Sequence, residues 1–146
     1  MPIGVWKNYY ARKRFIQTAI SYIGTSYLWG GDDPSGFDCS GLVVESLKSV
    51  GLLKEYEDFT ADSLYRRFKF FEIEKPKKGA LVFYFKNDYA FHVGICLDKY
   101  FYISAIGGNR KSVSIEDSNK QNAFVKIRPI DSNIHKITYL DLFLIS

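Results

Sequence analysis

The sequence predicts an α+β fold, with helices in the first half packed on one side of a roughly five-stranded antiparallel sheet built from the second half. Three observations predict it. Apolar residues recur at helical spacing early in the chain, and after about residue 79 the period falls to two. Aromatic residues are abundant, with 12 Phe and 11 Tyr in 146 residues, a composition that suits strands and aromatic clefts better than a helical bundle. With 47% apolar and 25% charged residues the chain can build a core, and its length fits one domain over residues 1–146.

The first helix is predicted over Asn8–Ile23, where Phe15, Ile16, Ala19, Ile20 and Ile23 share a stripe and Gly24 supplies the stop. A turn rich in Gly, Asp and Pro follows from Gly30 to Gly36. A second helix should begin at Cys39–Ser40, bury Leu42, Val43, Leu47 and Val50, and end at Gly51. A shorter third one is predicted at about Thr60–Phe68. Lys75–Gly79 is a turn. Strands are expected at Ala80–Phe85, Phe91–Leu97, Tyr100–Ala105, Ala123–Ile130 and Lys136–Ile145, with Asp98-Lys99 as a tight connection.

Several classes are disfavoured. The formal charge is +4, but the basic clusters around Arg12–Arg14, Arg66–Lys69 and Lys75–Lys78 are interspersed with acids and read as solvated faces, so no nucleic-acid partner is expected. The longest apolar runs fall far short of the ~20 residues that span a bilayer, so no membrane partner is expected. Met1–Trp6 does not read as a secretory signal. Two cysteines are too few for a disulfide scaffold, and a Cys39–Cys96 bridge is not expected in a reducing compartment. Cys39, His92 and Cys96 are the soft ligands a metal would need, yet no Cys-x-x-Cys spacing accompanies them, so no metal is expected. Cys96 reads as strand packing.

Gly36-Phe37-Asp38-Cys39-Ser40-Gly41-Leu42 sets a cysteine just after a glycine-containing turn, in the first turn of a helix. Free backbone N–H groups and the helix dipole there favour a thiolate and lower its pKa, and the same N–H groups suit an oxyanion. The alternative is a buried small hydrophobe. A nucleophile needs a base, and His92 is one of two histidines. In Phe91–Leu97, period two places His92, Gly94 and Cys96 on one face and Val93, Ile95 and Leu97 on the other. If the second face is core, His92 looks into a different surface, with Gly94 leaving space beside it.

These residues carry a resemblance. Tyr22–Gly31 followed by Pro34–Leu42 resembles the nucleophile region of the NlpC/P60 family of cell-wall peptidases, and Gly79–Phe83 and His92–Ile95 resemble its next two blocks, in order. The resemblance implies a papain-like fold and a cysteine peptidase that hydrolyses peptidoglycan stem peptides, commonly between D-γ-glutamate and a diamino acid. It makes Cys39 the nucleophile, His92 the base and Tyr27 a hydroxyl near the nucleophile, while Asp38 and Ser40 help define the substrate pocket. Trp29 is grouped with that substrate-binding turn, its ring expected to pack beneath it. No metal or organic cofactor is implied. The partners implied are peptidoglycan peptides or muropeptides.

One position departs from the family pattern. A third polar residue, usually histidine, should hold the second ring nitrogen of the base, and Ser104 occupies that place. Three readings stand: Ser104 serves, directly or through a water; Asn109 or His135 reaches in; or the site is impaired or altered in purpose. Rival functions are a non-hydrolytic domain that binds wall peptide or assembles a particle, and an amidase or acyltransferase using the same pair on another bond. The expected location is the cytoplasm or a phage particle, with a phage tail component among the candidate settings.

Overall fold

Helix α1 spans Ile3–Ser21, starting before the predicted Asn8. Among the described side chains, those of α1 that are buried in the core, Phe15, Ile16 and Ala19, lie in its later turns, where the apolar spacing is visible. Ile20 and Ile23, expected on that stripe, are exposed. Gly24 does stop the helix: it takes φ +90°, open to glycine at little cost, and its N–H donates to Val125 O at 2.8 Å. The structure is a computed structural model that describes residues 3–33, 36–131 and 134–143. Pro34, Ser35 and the predicted strand end at Leu144–Ile145 lie outside the described residues.

A two-stranded ribbon, β1 (Asp32–Asp33) and β2 (Gly36–Phe37), leads into helix α2 (Cys39–Ser49), which buries Leu42, Val43, Val44 and Leu47. Helix α3 (Ala61–Phe68) opens on a capping box, Thr60 accepting from Ser63 N–H and Ser63 Oγ accepting from Thr60 N–H. Then come β3 (Glu72–Ile73), β4 (Leu81–Lys86), β5 (Tyr89–Cys96), β6 (Phe101–Ile106), helix α4 (Ile115–Gln121), β7 (Phe124–Pro129) and β8 (Lys136–Leu140). Among the described residues six strands form one antiparallel sheet in the order β3-β8-β4-β5-β6-β7. The α+β expectation holds. The sheet has six strands where about five were expected, because β3 is two residues long and carries no periodic signal.

The sheet is buried on both faces, with a different core on each. Leu81, Phe83, Phe85, Val93, Ile95, Ile103 and Ala105 pack with Phe15, Leu42, Leu47 and Leu64 of the helices. Ala80, Val82, Tyr84, Cys96 and Tyr102 form a second cluster on the other face, with Phe91, Ile106 and Tyr139 against it. Alternation along β5 therefore runs as predicted: Val93 and Ile95 join the helical core, and Cys96 is fully buried strand packing.

Two irregularities in β5 shape the surface around His92 and Val93. Tyr84 pairs with His92 and Phe85 with Ala90, so Phe91 is an extra residue, a β-bulge at the entrance of the strand. On its other side β5 pairs with β6 through Ile95↔Ile103 and Cys96↔Tyr102 and no further toward its start. The N–H and C=O of Val93 face that unpaired side, since in an antiparallel strand they point the same way as those of Ile95. The two strands thus part beside Val93, next to the amino end of α2.

Candidate active site

Cys39 is the first residue of α2, and the local sequence explains why the helix starts there. Asp38 is the N-cap: its Oδ1 accepts from Gly41 N–H at 2.7 Å and from Ser40 Oγ at 3.2 Å, and its Oδ2 accepts from Gly30 N–H at 3.1 Å. Such a cap contributes about 1 kcal/mol to its helix. Here it also joins the preceding turn to the helix. Burial raises the pKa of Asp38, and the three donors oppose that shift. Asp38 and Ser40, expected to define the substrate pocket, both line the cleft in front of Cys39, but their polar atoms are bonded to each other and to backbone.

The sulfur of Cys39 lies where β5 and β6 part. The backbone N–H groups of Val93, Ser40 and Cys39 all act on it and favour its anion. The expectation of a lowered thiol pKa is nevertheless corrected. Burial outweighs the donors and the nearby Asp38 carboxylate adds to it, pushing the Cys39 thiol up to about 11. The helix terminus acts in the expected direction, and loss of water around the sulfur is the larger effect. In the free protein Cys39 is a neutral thiol.

His92 lies on the other face of the sheet, its ring against Tyr84 and Tyr102 at centroid distances of 5.6 and 5.9 Å. Burial among these rings pushes its pKa down to about 4, so the imidazole is also neutral. No hydrogen bond joins Cys39 to His92. The two are neighbours through their surroundings: the N–H at the sulfur belongs to the residue after His92, and the hydroxyl of Tyr102, 3.1 Å from His92 Nε2, is close enough for the Cys39 charge to raise its pKa. The sulfur lies on the helical face of the sheet and the imidazole on the other. They open on different depressions, which share Phe91.

Ser104 does not hold His92. Its hydroxyl is fully buried and donates to Val93 O at 2.7 Å, taking up the carbonyl left free where β5 and β6 part. The ring nitrogen Nε2 is instead hydrogen-bonded with the Tyr102 hydroxyl, 3.1 Å away. Asn109 Oδ1 accepts from Lys111 N–H and from Gln121, and His135 stacks edge-on against Phe91 at 4.9 Å; neither bonds to His92.

The cleft before Cys39 has a volume of about 600 Å³. Tyr27 forms part of its wall, buried, its ring so close over Gly108 that a Cβ there would lie 2.0 Å from it. Burial and the charges of Cys39 and Asp38 hold the Tyr27 hydroxyl well above the usual phenol range, so it remains a proton donor facing the sulfur's surroundings. Trp29 is corrected: its ring is 51% exposed on the cleft rim, with the Arg110 guanidinium 5.7 Å away, and does not pack beneath the turn. The opposite wall is the segment Asp58–Ala61 with Ser63. Asp62 fixes that wall to the bulge, accepting from Ala90 N–H at 3.0 Å and pairing with Arg66 at 2.7 Å.

Sequence reasoning missed Tyr102, Asp62, Asp58 and Arg110. Tyr102 had one available signal, a glycine at 94 in an otherwise bulky strand. Among the described residues no three His, Cys, Asp or Glu side chains gather as a metal site, both cysteines are free, and no helix is long and apolar enough to cross a membrane.

The neutral thiol makes a prediction about reactivity. Relative to an ordinary thiol of pKa 9.0, the shift to about 11 lowers the thiolate fraction at neutral pH about 100-fold, and the more basic thiolate regains roughly eightfold in intrinsic nucleophilicity. Alkylation of Cys39 by iodoacetamide, followed by peptide mass mapping, should therefore run about tenfold slower than that of an exposed cysteine. Its rate should climb with pH without a plateau below about pH 10. A plateau near neutrality would mean a thiolate–imidazolium pair instead.

A cysteine on the amino end of a helix, laid against an antiparallel sheet that carries a histidine, defines a papain-like α+β domain. Residues 24–129 match the NlpC/P60 family, and the chain belongs to that family. It is 34% identical over 107 residues to dipeptidyl-peptidase 6 of Lysinibacillus sphaericus, a match covering 73% of this chain and 37% of that protein, so the chain spans little more than a third of that relative. The NlpC/P60 domain of the peptidoglycan hydrolase SagA superposes with a TM-score of 0.63 at 26% identity, over 87% of this chain and 96% of that one. The peptidoglycan hydrolase RipB of Mycobacterium tuberculosis gives a TM-score of 0.73 at 22% identity, over 97% and 72% of the two chains, a likeness of fold.

Proposed function

We propose that this chain is a cysteine peptidase that hydrolyses amide bonds in peptidoglycan stem peptides, of the D-γ-glutamyl–diamino acid kind. The observation that carries the reading is the setting of Cys39: a sulfur at the amino end of α2, surrounded by backbone N–H donors and opening on a cleft of peptide size. The relative named as a dipeptidyl-peptidase and the domain from a peptidoglycan hydrolase support the substrate class. The cleft suits it: Arg110 offers a cation to a carboxylate of the stem and Asp58 an anion to an ammonium, between aromatic walls of Tyr27, Trp29 and Phe91.

In this mechanism both partners start neutral. No hydrogen bond joins the two at rest, so the Cys39 proton passes to His92 after the imidazole turns toward the gap beside Val93 or through a water there, as the sulfur bonds to the substrate carbonyl carbon; the carbonyl oxygen becomes an oxyanion held by N–H groups of the α2 terminus and the Tyr27 hydroxyl. The tetrahedral intermediate collapses with cleavage of the C–N bond, and His92 returns the proton to the leaving amine. Water then attacks the thioester, its proton passing through His92, and releases a carboxylate and the restored thiol.

Incubating defined stem peptides with the wild type and with Cys39→Ala, read by mass spectrometry, tests the reading. The wild type should yield the two expected fragments, and the variant should be slower by about 10⁴-fold or more. Intact peptides retained by both proteins would replace the peptidase with the wall-peptide-binding reading.

A further inference from the structure

We propose that the depression on the His92 face of the sheet is the leaving-group site of the peptidase. It receives a diamino acid, with Arg128 on the carboxylate and Asp131 on the distal ammonium. The proposal rests on the peptidase reading for the reaction, and on the placement of Cys39 and His92 for the address. Cys39 lines the cleft of about 600 Å³, while His92 lines a separate depression of about 480 Å³. Phe91, the extra residue of the β5 bulge, borders both. In amide hydrolysis the acyl carbon stays on the sulfur as the C–N bond breaks, and the nitrogen keeps the electron pair and takes a proton from the imidazolium. The acyl part of the substrate therefore belongs beside Cys39, between Asp58 and Arg110, and the amine part belongs beside His92. A peptide held in this way crosses at Phe91.

Sheet register builds the floor of the second depression. Directly opposed residues of an antiparallel pair share a face. Tyr84 is opposed to His92, and Tyr102 to Arg128. The His92 ring touches both tyrosines, at centroid distances of 5.6 and 5.9 Å, so a row of side chains runs across β4, β5, β6 and β7. The chain beyond β7 supplies the far wall. There Asp131 N–H donates to Tyr84 Oη at 3.3 Å, and the His135 ring stands edge-on to Phe91 at 4.9 Å.

This leaves an aromatic floor with a guanidinium and a carboxylate at its rim, both exposed. Such a surface suits a ligand with an aliphatic middle and a charge of each sign at its ends. The Arg128 fork matches a carboxylate, and the Asp131 carboxylate accepts from an ammonium. A monoamino acid would cover the rings and bring nothing for Asp131 to hold. Recognition of the carboxylate also makes the preferred substrate a stem that ends at the diamino acid, since further residues would convert that carboxylate to an amide.

Two measurements test the proposal. In the first, the wild type is titrated to about 10 mM with lysine, norleucine or cadaverine and followed by backbone ¹H–¹⁵N spectra. Lysine should shift the amides of Phe91, His92, Arg128 and Asp131. Norleucine, without the distal ammonium, and cadaverine, without the carboxylate, should each bind about fivefold more weakly. Arg128→Gln and Asp131→Asn should weaken lysine to the same extent, and both side chains are exposed, so folding is not at stake. Absence of shifts, shifts confined to Gly30, Ser40 and Asp58, or equal binding of the three ligands overturns the proposal. The second compares stem peptides that end at the diamino acid as a carboxylate or as an amide. The wild type should show a KM about fivefold higher for the amide, and Arg128→Gln should not distinguish them. A variant that still distinguishes them overturns the proposal. The titration needs no turnover, so the two readings fail separately. Lysine bound at His92 without hydrolysis by the wild type removes the peptidase and keeps the diamino-acid site, while hydrolysis with lysine bound beside Cys39 does the reverse.

Discussion

Replacing His92 with glutamine is expected to leave a folded protein whose turnover of stem peptide falls by about 10²–10⁴-fold, the range spanned by loss of a general base. Glutamine keeps an amide nitrogen near Tyr102 and removes only the titratable ring. Because the Cys39 thiol is pushed up to about 11, no ready thiolate exists at neutral pH to bypass the missing base. The wild-type kcat/KM should rise through about pH 4, where His92 loses its proton, and then stay level across neutrality. A variant that retains more than about a tenth of wild-type turnover would remove His92 from the proposed mechanism.

The same substitution should change how stability depends on pH, and the sign follows from burial. The pKa of His92 is about 4 in the fold against 6.5 for a solvated imidazole, so between those limits the unfolded chain binds more protons. Stability therefore increases as pH rises from about 4 to 6.5 and is independent of His92 above that. The shift of roughly 2.5 pH units corresponds to at most about 3 kcal/mol, and less for a ring that is only half-buried. Urea midpoints across this window should slope upward with pH more steeply in the wild type than in His92→Gln. Parallel slopes would mean that His92 is solvated, and the neutral resting pair would fail with it.

How far the sequence could disclose this site depends on which interactions are local. The start of α2 was legible because its signals are adjacent: Asp38 caps, Cys39 begins the first turn, and the apolar spacing of Leu42, Val43 and Leu47 follows. Alternation in β5 was legible for the same reason and placed Val93 and Ile95 in the core and His92 away from it. Cys39's pKa was not, because it is the balance of local N–H donors against burial that other parts of the chain supply. Tyr102 looked like one more aromatic in a strand. Its reach to His92 depends on the register of β6 against β5 and on the empty site at Gly94, both set by long-range pairing. Ser104 was placed by counting along the chain, and the count could not foresee that β5 and β6 part there, leaving Val93 O to claim its hydroxyl. Helix α4 was missed because it is seven residues long, with Ser118 its one buried residue, and its visible signal is only the Ser114 cap accepting from Asp117 N–H.

Gly41→Ala is the substitution with the largest expected effect on stability, and it runs against helix propensity. In an exposed helix interior, alanine is favoured over glycine by about 1 kcal/mol. At position 41 the added Cβ would lie 1.9 Å from Gly31 O and 2.9 Å from Asp38 Oδ1. The first of these is backbone and cannot rotate away. Gly31 O also accepts from Asp38 N–H at 3.0 Å, and Gly31 N–H donates to Leu28 O at 2.9 Å, so moving that carbonyl strains the turn that holds Trp29 and Gly30 at the cleft. Overpacking of this kind costs on the order of 3 kcal/mol. Relief by sliding α2 would move the Cys39 sulfur away from Val93 N–H, so turnover should fall with stability. Gly24→Ala separates this clash from ordinary backbone strain: φ is +90° there but nothing lies within 4 Å of an added Cβ, and the cost should be near 1 kcal/mol. Urea denaturation of both variants gives the comparison. A Gly41→Ala protein no less stable than Gly24→Ala would mean that the approach of α2 to the Gly30–Gly31 turn is looser than these distances require, and the placement of the Cys39 sulfur would have to be revised with it.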